Sequence, residues 1–486
     1  MDNMKHIYLK NFIALIVTFL ISIDVYGQWP DIPLLNIETV NGEMPTCTVI
    51  YAPEGCTGVS ITDNEYVPGR MTVTLKGEIL YDSKEYVKGE SGMKIKRRGN
   101  STGAYMEQHP YKIKLSKKYD LLERGDKSFK HKEWVLLCMY TWNVKMTNQE
   151  SNILNVVGSI VSKIVHQEWT PEFEFVNVMI NGEYQGMYYL MESVDSGEKR
   201  VVLDDTGFFI EDDTFWWNEA VYFKTNHQNT NVGYTYKYPD DDDVTDSIQN
   251  VIQQYMNEFE SVLYANGDLS PYIDYESFAK WILIHDILGT DDAAGCNRFL
   301  YKYDFNKSNP YSSKLKMGPV WDFDSTFRSE GWSTIHTTDS WFYYSLLFKR
   351  DDFIKTYVNL WKQIRPTILE DLQNGLNNFL EKYKNVFDES MKLHQTKYPD
   401  EGKETLGFQV NEVLEKLIQR ITTLDILMTQ YGYSNNINKL YNNAYLINIV
   451  DLQGNSVKTI DFHHLMPGIY IFKYNDGTNK KVRIVN

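Results

Sequence analysis

Seven short segments between residues 32 and 191 read as strands, and in two of them, residues 93–96 and 111–115, apolar and polar side chains alternate with a strand's period of two. They read "IPLLNIET", "RMTVTL", "GMKIKRR", "YKIKL", "EWVLL", "FEFVNVMI" and "QGMYYLM". Asn181 and Gly182, between the last two, signal a tight hairpin turn. One stretch near residues 148–165 has helical spacing instead. Beyond residue 240 the helical period takes over, in "SIQNVIQQYMNEFESVLY", "DYESFAKWILIHDIL", "DDFIKTYVNLWKQIRPTILEDLQNGLNNFLEKYKNVF" and "NEVLEKLIQRITTLDILMTQY". A β-rich lobe over about 28–203 and a mainly helical lobe over about 240–435 predict an α+β, two-lobed domain spanning 28–435.

Two end segments differ from this body. Residues 1–27 read as a secretory signal, with Lys5 and Lys10 before the apolar run "FIALIVTFLISI" and a small-residue cleavage site ending at Gly27. The run is short for a membrane span, and no second one follows, so no transmembrane segment is expected in the mature chain. Residues 438–486 follow the polar "GYSNNINKLYNN" and contain "YLINIVDLQGNSVKTID" and "GIYIFKYNDGTNKKVRIVN", two hairpins forming a small all-β module.

The formal charge of −16 argues against a nucleic-acid partner. Cys47 and Cys56 flank a Pro-Glu-Gly turn and are spaced to close a disulfide loop, whereas Cys138 and Cys296 read as buried thiols. Neither a CxxC pair nor an HExxH occurs, so a structural zinc or a zincin site is unsupported. "PDDDD" at 239–243 lacks the EF-hand spacing and instead precedes a helix, where acids favour the dipole.

Gly99-Asn100-Ser101-Thr102-Gly103 matches G-x-S-x-G, the nucleophile elbow. An elbow needs a strand-to-helix turn. Here "MKIK" and "YKIKL" flank the motif, which predicts strand, loop, strand. A loop with glycines at both ends suits close approach to an anion, and Arg98 adds a forked donor. Lys112 and Lys114 share one face of the second strand. Downstream, Asp322 and Asp324 in "VWDFD" fall on one side of an extended strand, as a pair of hard ligands for Mg²⁺ would.

These segments together resemble the CotH kinase family, the spore-coat protein H type, over about residues 32–386. The carriers are "RRGNST", "HPYKIKL", "EWVLL", "FVNVMINGEYQGMYYLMESV", "YTYKYPDDDD", "TDDAAGCNRFLY" and "KMGPVWDFDSTF", in the family's order. The resemblance implies an atypical protein-kinase-like fold and transfer of the γ-phosphoryl group of ATP to serine or threonine of extracellular proteins. It places Arg98, Gly99, Asn100 and Ser101 near the phosphates, Lys114 as the strand lysine with Lys112 as its alternative, and Glu192 near the nucleotide or lysine. Asp292 is implied as the catalytic base, and Asp322 and Asp324 as Mg²⁺ ligands. Asn297, beside a strand, is a further metal or phosphate contact. The ending "MPGIYIFKY…KKVRIV" resembles a type IX secretion sorting domain, which implies delivery by secretion machinery to the exterior or cell surface.

The sequence departs from the family at several places. Gly103 stands where the family has tryptophan, and His109 where it has lysine. Ser151, Asn152 and Val157 occupy the places of an Arg-Asn helix start and an inward glutamate, with Glu150 one step earlier as a substitute. Loss of that glutamate leaves a second reading, a non-catalytic surface adhesin or coat protein. The tyrosine and tryptophan excess prompts a third, a glycan hydrolase using paired carboxylates.

Overall fold

The computed structural model describes residues 29–139, 151–227, 231–290, 296–306, 308–327, 343–401, 404–433, 446–450, 468–474 and 479–484. The first ten strands are β1 (Leu34–Thr39), β2 (Thr48–Tyr51), β3 (Val59–Thr62), β4 (Val67–Leu75), β5 (Glu78–Asp82), β6 (Met93–Arg97), β7 (Tyr111–Tyr119), β8 (His131–Cys138), β9 (Phe173–Ile180) and β10 (Glu183–Glu192). Seven of them, in the order β1-β9-β10-β8-β7-β6-β4, close on themselves because β1 also pairs with β4. Leu35 of β1 faces Val73 of antiparallel β4 on one side and Val178 of parallel β9 on the other. The seven strand segments read from the sequence are the seven staves of this barrel. Their apolar halves, including Leu35, Ile37, Met71, Met93, Ile95, Ile113, Trp134, Val178 and Leu190, form one buried cluster.

That closure overturns the expected atypical protein-kinase-like two-lobed fold. The strands form a closed barrel rather than a β lobe facing a helical one, and the helical half contains a second sheet. This sheet comprises β11 (Phe208–Asp213), β12 (Tyr222–Phe223), β13 (Gly233–Tyr238), β14 (Arg298–Lys302) and β15 (Lys316–Met317), in the order β12-β13-β11-β14-β15 with every pairing antiparallel. The outer wall of the barrel also packs into the helical core, through Phe175, Met187 and Tyr189, instead of meeting it as a separate lobe.

The helices are α1 (Ser101–Tyr105), α2 (Leu154–Ile164), α3 (Asp246–Tyr264), α4 (Tyr275–Leu288), α5 (Tyr344–Leu347), α6 (Asp351–Ile364), α7 (Ile368–Tyr383), α8 (Phe387–Gln395) and α9 (Leu406–Leu427). Side-chain oxygens of Thr245, Asp274 and Thr405 cap α3, α4 and α9 by accepting backbone N–H bonds. Pro366 falls in the break between α6 and α7, where its missing N–H cannot continue a helix. Phe175 of β9 packs its ring against Phe379 and Tyr383 of α7 and Phe387 of α8, so the outer barrel wall is buried in the helical core. The second sheet is two-faced. Phe208, Ile210, Tyr234 and Leu300 join that helical core, while Phe209, Phe299 and Tyr301 turn toward Val135 and Met191 of the barrel.

Three smaller expectations are corrected or completed. β6 and β7 pair as expected, but the connection contains one helical turn, α1, rather than a plain loop. Cys47 and Cys56 are free thiols, so the bridge their spacing allowed is not formed. In the tail, Leu446–Val450, Gly468–Tyr474 and Asn479–Ile484 form a three-stranded antiparallel sheet. Among the described residues, no helix is long and apolar enough to cross a membrane.

β10 carries a bulge beside Gly186, whose φ is +109°. A Cβ there would lie 2.8 Å from His394 Nδ1 and 2.9 Å from Gln108 Nε2. Those two side chains tie the bulge down: the Met187 N–H donates to His394 Nδ1, and Gln108 Nε2 donates to the Met187 carbonyl. Gly186→Ala therefore combines an unfavourable φ with a clash in a buried hydrogen-bonded site. Urea unfolding of this variant is expected to show a loss of about 2–4 kcal/mol.

Candidate functional site

The apolar contact between Val135, Met191, Phe209, Phe299 and Trp321 wedges the second sheet against the barrel. At one end of it lie two adjoining cavities of about 300 and 390 Å³. Both are lined by Arg98, Gly99, Asn100, Glu211, Asn297 and Trp321, so they form one polar cleft.

The loop after β6 supplies one wall and is held on every side. The Arg98 N–H donates to the Pro110 carbonyl (3.1 Å), and Asn64 Nδ2 to the Arg97 carbonyl (2.9 Å). Ser60 Oγ donates to Asn100 Oδ1 (2.7 Å), and the buried Arg97 guanidinium to the Gly103 carbonyl (2.8 Å). Gly99 adopts φ +90°, and a Cβ on it would sit 2.5 Å from the Thr102 hydroxyl. At Gly103 a Cβ would meet the Arg98 carbonyl at 2.6 Å, so a tryptophan is sterically barred from this position. Ser101 lines the cleft, yet no histidine does among the described residues, and an elbow serine would have no base there.

Asp322 and Asp324 form the opposite wall. They reach the cleft together, but not as side chains on an extended strand. Asp322 has φ +61°, a left-handed conformation that aspartate tolerates better than most residues. Between them Phe323 is buried, its ring seated on Gly158 of α2, where a Cβ would lie 2.1 Å from the ring. The Phe323 N–H donates to Asn155 Oδ1 (3.3 Å), one turn earlier on the same helix. Asn297 also stands in the left-handed region, at φ +60°, and its N–H donates to Glu211 Oε1 (3.1 Å). Arg98 places its guanidinium over the Trp321 ring (5.9 Å). Burial pushes the Arg98 pKa down, and the nearby Asp322 carboxylate opposes that shift.

The two strand lysines separate. Lys112 and Lys114 both reach Glu133 of β8, at 2.7 and 2.8 Å, but Lys112 lines the cleft and Lys114 is not among the lining residues. Burial raises the Glu133 pKa, but the two ammonium groups prevail and hold it below the usual carboxylate range. Glu192 also stands away from the cleft. It is buried with Arg124 (2.9 Å) and Arg200 (3.8 Å), and accepts from the Trp169 indole (3.3 Å). Asp292 and Glu150 lie outside the described residues.

Lining residues that escape sequence reasoning include Lys96, Asn155, Glu211 and Lys237. Lys237 Nζ pairs with Glu211 Oε2 at 2.7 Å. Burial acts to lower its pKa, but Glu211, Glu219 and Asp213 outweigh that and keep it charged. The available signal was "TYKYP", where a strand lysine stands between the buried Tyr236 and the half-buried Tyr238. These strand carboxylates also bear on the missing helix glutamate. Val157 is packed in the helical core, and Asn152 donates to the Met139 carbonyl (2.9 Å), while Glu133 and Glu211 hold the lysines from β8 and β11.

A model of the CotH kinase protein family matches residues 95–424, more than half of the 486-residue chain. None of the curated proteins compared with the chain matches it.

The seat of Phe323 on Gly158 sets the position of the aspartate pair. Gly158→Ala is expected to destabilise the protein by about 1–3 kcal/mol through overpacking. Adding Phe323→Leu should return part of that loss, because the ring is what the new methyl strikes. A double-mutant cycle by chemical denaturation would show this as a coupling of at least about 0.5 kcal/mol, and strict additivity would rule the contact out.

Proposed function

Since this chain belongs to the CotH kinase protein family, we propose that it is a secreted or cell-surface, ATP- and Mg²⁺-dependent protein kinase acting on serine or threonine of extracellular proteins. The observation that carries this reading is one cleft in which a glycine-bearing, arginine-led loop faces two aspartates, with lysines on the walls between them. A triphosphate needs such a set: cations and backbone donors for its oxygens, and hard oxygen ligands for its metal. The tail, as a sorting signal, would deliver the chain to the exterior.

In this reading Arg98 and the backbone of Gly99 and Asn100 grip phosphate oxygens, while Lys112 and Lys237 supply positive charge from β7 and β13. Glu133 and Glu211 hold those lysines in place, and Glu211 keeps Lys237 protonated. Asp322 and Asp324 would hold Mg²⁺. When bound, that ion would neutralise charge building on the phosphoryl oxygens. Asp292 takes the proton of the acceptor hydroxyl as its oxygen bonds to the γ-phosphorus and the bond to the ADP oxygen breaks. Burial of Trp321 and Phe323 beside the cleft keeps solvent from its floor.

Incubation of the mature chain with Mg²⁺ and γ-labelled ATP should transfer label to itself or to serine-rich acceptors. No transfer, with nucleotide still bound, would favour a non-catalytic surface protein. Binding measured by calorimetry separates the two lysines. Lys112→Met should weaken Mg²⁺–ATP binding about tenfold, the scale of one charge-assisted contact, while Lys114→Met should change it little. Asp322→Asn or Asp324→Asn should remove the Mg²⁺ dependence without lowering thermal stability; unchanged binding in both would refute the metal assignment.

A further inference from the structure

A second cavity, of about 420 Å³, opens at the other end of the apolar wedge. Its walls are Trp169, Val201, Val202, Tyr301, Tyr303 and Pro319, and Lys314 and Lys316 stand among them. It shares no lining residue with the cleft, yet the two are joined through single elements. Along β14 and its flanks, Asn297 and Phe299 belong to the cleft, and Tyr301 and Tyr303 to the second cavity. Pro319 lines the second cavity, and Trp321, two residues on, lines the first. Asn297 and Tyr303 are six residues apart, on the order of 20 Å along extended chain.

The chemistry of the walls narrows the occupant. Tyr303 and Val202 are solvent-exposed apolar surface at the mouth. The polar groups are mostly committed within the protein. Glu168 pairs with Lys316 and accepts from the Tyr301 hydroxyl (2.6 Å). The Arg200 guanidinium donates to the Ser193 and Glu133 carbonyls, and the Gln167 amide to the Met317 carbonyl. Few donors or acceptors remain for the hydroxyls of a neutral glycan. What remains is aromatic and aliphatic wall with an exposed lysine, Lys314, in a chain whose net charge is −16. Such a surface complements an aromatic side chain with carboxylates beside it.

We propose that this cavity docks an acidic segment of a protein partner, seating one aromatic side chain among Trp169, Tyr301, Tyr303 and Pro319 with a neighbouring carboxylate toward Lys314. Its separation from the cleft, a few extended residues, suits an acceptor protein that reaches both at once. The identity of that partner as the phosphorylated one rests on the kinase reading; the docking itself does not.

The test is calorimetric titration of the mature chain, without nucleotide, against blocked pentapeptides. One carries a single phenylalanine between aspartates; the controls replace the phenylalanine by alanine or the aspartates by lysines. A neutral oligosaccharide is a further arm. The acidic aromatic peptide should bind, and both controls should bind at least about tenfold more weakly. Lys314→Glu, an exposed change that leaves the Glu168–Lys316 pair intact, should weaken it about five- to tenfold, and Tyr303→Ala should do likewise. Equal binding of the basic peptide, preference for the oligosaccharide, or no binding of the acidic peptide to a chain of native thermal stability would each overturn the proposal. Since no ATP is present, failure here leaves the phosphotransfer reading intact, and failure of phosphotransfer leaves this binding intact.

Discussion

The pairing of β1 with both β4 and β9 is the constraint on which the remaining structure depends. Without it β4 and β9 would be open edges, with unsatisfied backbone groups and a core exposed along one seam. With it the ring encloses its own apolar interior and gains a rigid outer wall. That wall does two jobs. On one side Phe175 and its neighbours anchor the helices; on another Val135 and Met191 receive the second sheet. The cleft is the space left where the second contact ends. Its loop, its lysines and its aspartates come from different elements, and the barrel fixes the distances between them.

Much of the barrel was legible. Every stave was read as a strand segment, most plainly at β6 and β7, where a half-buried strand writes its two faces into consecutive residues. Closure was not legible, because β1 meets partners far away in the chain and no local pattern encodes such a meeting. The second sheet was legible only at the strand beside Asn297. β11 and β14 are buried on both faces, so "FFIEDD" and "RFLYK" do not alternate in polarity, and Glu211, Asp212 and Arg298 find their partners inside.

The site repeats that division. The glycines, Arg98 and the aspartate pair were found by type and spacing, and the fold brings them to one cavity. The route differs: Asp322 arrives through a left-handed turn pinned by Phe323, not through strand alternation. Lys112 and Lys114 share a face as expected, but a face is wider than a cleft, and only the inner of the two lines it. Glu211 and Lys237 were missed because each is unremarkable alone. Their meaning lies in the 2.7 Å between them. The absent helix glutamate weighs less than it seemed, because β8 and β11 offer carboxylates from the walls themselves.

The ring of seven strands also obeys a rule of parity. Each antiparallel step reverses chain direction, and a walk around a closed ring must return to the direction in which it began. Seven reversals cannot do so; six can, and the seventh step must preserve direction. The β1–β9 contact is that step, the one parallel neighbour pair among the ring's seven. So long as the β1–β9 step stays parallel, a barrel of this kind cannot gain or lose one antiparallel stave and still close. It can change size only by whole hairpins, which leave the count odd, so variation in such chains should accumulate as paired insertions between staves while the odd strand at the start is retained.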